Sequence, residues 1–100
     1  MEADGAVRLS LFGELDREAA ERLARRIVAL KQTGDSVRLD LSRLEFIDSS
    51  GVRTILVSVR EARRDGWGFE VDRRLSPQVD RVFDVLGLDA ALWPNADQAA

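Results

Sequence analysis

The chain has 100 residues, with 15 Lys and Arg against 18 Asp and Glu, for a net charge of −3. It contains no His, no Cys and no Tyr, and Lys31 is its single lysine. These absences exclude disulfides, thiol nucleophiles, Cys-type zinc sites, phosphohistidine chemistry and serine triads that use a histidine base.

Val7-Arg8-Leu9-Ser10-Leu11-Phe12 alternates apolar and polar side chains and predicts a strand ended by Gly13. Asp16 is a good N-cap for a first helix over 17–31, with Ala20, Leu23, Ala24, Ile27, Val28 and Leu30 inward. Gly34-Asp35 turns out of it, and Val37 to Leu41 alternates again as a second strand. A short apolar link, Leu44 to Ile47, leads to Asp48-Ser49-Ser50-Gly51. A second helix then runs to about Arg64, with Val52, Ile55, Leu56, Val59 and Ala62 inward. Trp67 to Val71 predicts a third strand, placing Trp67, Phe69 and Val71 on one face. Ser76-Pro77 opens a third helix, with Val79, Val82, Phe83 and Leu86 inward and Gly87 at its end. Leu92-Trp93-Pro94 is a candidate last short strand, or a cover for a sheet edge or the core.

The order β-α-β-α-β-α, with crossovers of the length that parallel strands need, predicts an α/β fold with right-handed connections. We expect a sheet of about four to five mostly parallel strands, with helices packed on one face and polar strand positions on the other. The whole chain, 1–100, reads as a single domain, and 45% hydrophobic residues supply its core. Charged residues of both signs are interspersed along the chain, as on a solvated surface. No apolar run approaches the roughly 18 residues of a membrane span, and the acidic opening Met1-Glu2-Ala3-Asp4-Gly5 is unlike a signal peptide. The expectation is a cytoplasmic protein without membrane insertion. Mild acidity argues against a nucleic-acid partner, and the doublets Arg25-Arg26, Arg63-Arg64 and Arg73-Arg74 read as solvated surface. Composition leaves the oligomeric state open.

Asp48-Ser49-Ser50-Gly51 has two readings. One is helix capping, since Asp and Ser satisfy free N–H groups. The other is a hydroxyl displayed at a helix N-terminus, where an anion is stabilised and an added phosphate brings about −1.5 to −2 charges. Ser49 as a catalytic nucleophile lacks a base: there is no His, and Lys31 is predicted at the far end of the first helix. No Gly-rich phosphate loop occurs, no cofactor is called for, and a metal site would need clustered carboxylates, for which Asp16 with Asp48 is only a weak candidate.

Four segments carry a resemblance: Gly13-Glu14-Leu15-Asp16; Leu39-Asp40-Leu41-Ser42; Phe46-Ile47-Asp48-Ser49-Ser50-Gly51; and Leu75-Ser76-Pro77 running on through Val79, Arg81-Val82-Phe83 and Leu86-Gly87-Leu88. In this order and spacing the chain resembles a STAS domain over about residues 6–94, and most of all the stand-alone anti-sigma factor antagonists of bacteria. The resemblance implies a STAS-like sheet and a partner switch. The unphosphorylated antagonist would bind an anti-sigma factor with serine kinase activity, freeing a sigma factor. Phosphorylation would release it, and a metal-dependent serine phosphatase would reset it. The partner would supply ATP, Mg²⁺ and the base. Carried over by residue, Ser49 is the phosphoacceptor, Asp48 shapes the loop with Ser50, and Asp16 lies beside Ser49. Gly51 allows close approach of the partner, and Arg53, Thr54, Val57 and Ser58 form the outward docking side of the second helix.

The chain departs from the family pattern at Val52-Arg53, where Leu-Gly is common. Arg53 would pair with Asp16, pair with a phosphate on Ser49, or select a kinase. The usual first strand is abbreviated or missing, and the tail is short. A non-phosphorylated STAS scaffold, or an accessory subunit of a membrane transporter, is the alternative.

Overall fold

Three stretches of alternating burial build the sheet of the computed structural model, which describes residues 6–93. They are β1 (Ala6–Leu15), β2 (Ser36–Ile47) and β3 (Phe69–Leu75), in the order β1-β2-β3 and all parallel. Helix α1 (Arg17–Thr33) joins the first pair and α2 (Ser49–Asp65) the second; α3 (Pro77–Leu86) and a single turn, α4 (Asp89–Leu92), follow. Two successive right-handed crossovers in one direction put their helices on the same face of a sheet, and α1 and α2 pack on each other there. Central β2 supplies the middle of the core through Leu39, Leu41 and Leu44. Leu15, Ile55, Val59, Val79 and Phe83 close around them. Ser76 ties α3 to this strand: its N–H donates to Leu41 O at 3.3 Å, while its hydroxyl accepts from Val79 N–H at 3.3 Å.

Several sequence expectations change. The sheet has three strands among the described residues, against the four to five expected. Leu92 belongs to α4, and Trp93 follows it without pairing as a strand. Trp93 instead covers the sheet edge through its indole N–H, which donates to Val71 O at 2.7 Å. Pro94, the segment before Ala6 where the family's usual first strand was expected abbreviated or missing, and the tail lie outside the described residues. Gly13 does not end β1. It adopts φ +73° at an irregularity where the register to β2 shifts, and the strand continues to Leu15. Leu44 to Ile47 is strand, not link: bulges there space the buried residues by three, which hides the alternation. Trp67 precedes β3, stacking on Phe69 and donating to Asp35 O at 2.7 Å. Val28 is 55% exposed and Leu86 54%, although both were expected inward. Leu88, beyond the reversal at Gly87, packs on the core.

The helix-free face of the sheet is charged. Arg8 pairs with Asp40 at 3.1 Å and Asp72 at 3.6 Å, and Arg38 pairs with Glu70 at 3.0 Å. Asp40 collects the most donors. Ser42 gives its backbone N–H at 2.9 Å and its hydroxyl at 2.7 Å, and Arg8 and the Ser10 hydroxyl bind the second oxygen. These donors, Ser42 foremost, hold the Asp40 carboxyl at about 2 against an ordinary 3.8. A lowered carboxylate stabilises the fold above its unfolded value, and that contribution disappears as pH falls from about 4 toward 2. At this partly solvated site it amounts to on the order of 1–2 kcal/mol. Asp40→Asn should therefore be less stable at pH 7 and lose less on acidification. Urea melts of both proteins from pH 7 to 2.5 measure this, and parallel curves would contradict it.

Candidate functional site

Two strand-to-helix turns lie side by side because β1 and β2 end in register, Leu15 opposite Ile47. The next residue in each is an aspartate cap. Asp16 Oδ1 accepts from Ala19 N–H at 3.0 Å, and Asp48 Oδ1 accepts from Ser50 N–H at 2.9 Å and Gly51 N–H at 3.2 Å. Asp48 N–H donates to Leu15 O at 3.3 Å, stitching the turns together. Asp16 and Asp48 line one hollow with Arg17, Glu18 and Glu21. Among the described residues no cluster of three carboxylates is placed to hold a metal.

Ser49 opens α2, exposed, with no hydrogen bond to its hydroxyl among the described residues. Among the described residues no side chain is hydrogen-bonded to it as a base, and the neighbouring Asp48 Oδ1 is engaged by Ser50 and Gly51 N–H. Lys31 sits at the other end of α1, paired with Asp65. Gly51 is buried, and a Cβ on it would lie 2.8 Å from Leu15 Cδ2 and 2.9 Å from Ile47 Cγ1. It permits close approach of α2 to the ends of β1 and β2. Its backbone lets the first turn of α2 settle on the sheet, which fixes where Ser49 emerges.

Ser49 and Ser50 share a shallow depression with Arg53, Val57 and Arg60 of α2 and Leu86 of α3. Val57 is 39% exposed and Arg53 is exposed; neither Arg53 nor Arg60 makes an ion pair or hydrogen bond among the described residues. Arg53 does not pair with Asp16. Thr54 is half-buried, and its carbonyl accepts from the Ser58 hydroxyl at 2.8 Å. Ser58 itself is 9% exposed and faces the core, so it leaves the expected outward set. Sequence reasoning missed Leu86 and Arg60. Arg60 lies three residues beyond Val57, a spacing that repeats a helix face and signals it.

A parallel sheet covered by helices on one face, with a capped Asp-Ser-Ser-Gly turn presented at its rim, defines a STAS-type domain. The family model described as "Mlab, STAS domain" matches residues 1–94, and the chain belongs to the STAS family. It is 36% identical over 94 residues to the anti-sigma F factor antagonist of Lysinibacillus sphaericus, covering 92% of this chain and 80% of that protein. It is 34% identical over 95 residues to the putative anti-sigma factor antagonist BtrV of Bordetella bronchiseptica, covering 94% and 80%. Among solved structures, the fold is similar to the anti-sigma factor antagonist SpoIIAA in its unphosphorylated form (TM-score 0.65, 31% identity, 84% of this chain and 77% of that one). It is also similar to the phosphorylated form of the Bacillus cell fate determinant SpoIIAA (TM-score 0.68, 28% identity, 100% and 96%).

Gly51→Ala should cost about 1–3 kcal/mol by overpacking against Leu15 and Ile47. A lower urea midpoint at unchanged m-value would show it. Arg53→Ala, on the exposed side of the same turn, should stay within about 0.5 kcal/mol of the parent.

Proposed function

We propose that this chain is an anti-sigma factor antagonist switched at Ser49. The observation that carries the reading is the exposed, unbonded Ser49 hydroxyl at the first turn of α2, beside a depression lined by Arg53, Val57, Arg60 and Leu86. The names of its relatives and its likeness to both forms of SpoIIAA support it. In this reading the unphosphorylated chain docks an anti-sigma factor with serine kinase activity through the outward face of α2. Apolar Val57 and Leu86 provide desolvated contact, and the two arginines provide charge.

The chain is then a substrate and not an enzyme. The Ser49 oxygen attacks the γ-phosphorus of the partner's ATP, the bond from that phosphorus to the β-phosphate bridging oxygen breaks, and ADP leaves. The hydroxyl proton passes to a base of the kinase, in keeping with a Ser49 hydroxyl that no described side chain hydrogen-bonds and with Lys31 held away on Asp65. A phosphate at Ser49 places about −1.5 to −2 charges at the docking face and ends binding. A metal-dependent serine phosphatase hydrolyses the ester and restores the hydroxyl. The chain works in the cytoplasm, where its partners are; no described helix is long and apolar enough to cross a membrane.

Incubation with the cognate kinase and ATP should add one phosphate, and Ser49→Ala should abolish it by intact mass. Labelling that persists at another site in that variant, or capture of a transport complex and no kinase, overturns the reading. Ser49→Asp and, separately, Leu86→Asp should each weaken kinase binding about tenfold or more in a calorimetric titration. Unchanged affinity in Ser49→Asp would contradict release by charge, and unchanged affinity in Leu86→Asp would remove α3 from the interface.

A further inference from the structure

We propose that Arg53 is the counter-ion of phosphorylated Ser49, so that modification withdraws a cation from the docking face as well as adding an anion to it. This rests on Ser49 being the phosphoacceptor. Ser49 and Arg53 are four residues apart on α2, the spacing at which side chains on one helix face meet. Both are exposed, and both line the same depression. Neither side chain is engaged elsewhere among the described residues, so no existing bond has to break. The acid lies N-terminal to the cation, the favourable order along a helix. A phosphate offers three acceptor oxygens, and a guanidinium meets them with a planar fork.

The neighbouring charges limit the alternatives. Asp48 keeps its Oδ1 on the Ser50 and Gly51 N–H groups, and so continues to cap α2 beside the phosphate. Asp16, Glu18 and Glu21 line the adjoining hollow together with one cation, Arg17. From α3 the depression receives only apolar Leu86. Arg60 stands eleven residues along α2 from Ser49, about 16 Å of helix rise, and is out of reach. It remains directed at the partner in both states. Phosphorylation thus disarms one of the two arginines and leaves the other.

The test uses full-length protein carrying phosphoserine at position 49 installed during translation, which needs no kinase. The second ionisation of the phosphate, ordinarily near 6, is followed by ³¹P NMR against pH in the parent, in Arg53→Gln and in Arg60→Gln. A paired guanidinium stabilises the dianion and lowers this pKa. Arg53→Gln should therefore raise it by roughly 0.3–0.7 units relative to the parent, while Arg60→Gln leaves it unchanged. The surrounding carboxylates are common to all three proteins and cancel. Equal values in the parent and Arg53→Gln, or an equal shift in both variants, overturns the proposal. A kinase that fails to modify Ser49 would overturn the phosphoacceptor assignment without altering this titration, so the two failures are distinguishable.

Discussion

The first turn of α2 lies directly against the ends of β1 and β2, and the position of the site depends on that contact. It is possible because Gly51 carries no side chain where Leu15 and Ile47 converge. Asp48 completes it from above, turning two N–H groups of the same turn toward its carboxylate while its own N–H reaches back to Leu15. Apolar packing below and hydrogen bonding above hold the turn from both sides. A hydroxyl placed there emerges at a fixed angle without a bond of its own. Ser49 is therefore held in a defined place, with no competing interaction of its hydroxyl among the described residues.

The sheet separates packing from solvation by its two faces. Parallel sheets are commonly buried on both sides, yet here all the major helices are used on one. The other face meets its polar requirements laterally, through pairs such as Arg8 with Asp40 and Arg38 with Glu70 that cross from strand to strand. Surface pairs of this kind add little stability individually. Their main effect is that the face needs no cover, which lets a chain of 100 residues complete an α/β architecture with one helical layer.

Much of this was legible because local chemistry and global packing agree. Asp16, Asp48 and Ser76 read as helix caps and are caps; Pro77 opens α3 as its fixed φ favours. The adjacency of Asp16 and Asp48 follows from parallel strands that end together. What escaped was whatever depends on irregularity. The bulges in β2 break the two-residue period, so its last four residues looked like a link. Leu86 continues the period of Val79 and Phe83, but the chain reverses just after it and Leu88 takes the inner place. Ser58 shows the opposite error. It stands three residues from Ile55 and four from Ala62, on the buried stripe, whereas the family resemblance had set it on the outward docking side. A serine can occupy such a stripe when its hydroxyl bonds the carbonyl one turn back, as Ser58 does to Thr54.

Trp93 gives the edge of the sheet a further property. Strand edges carry unpaired carbonyl and amide groups, and an exposed one is a template on which another chain can add itself and begin to aggregate. On β3 the indole N–H of Trp93 already occupies Val71 O, and the Arg73 guanidinium lies 5.3 Å over the indole ring. An incoming strand would have to displace a bonded aromatic side chain and the cation stacked on it. One bulky residue just beyond the last described helical turn thus guards this edge against a kind of association that does not reverse.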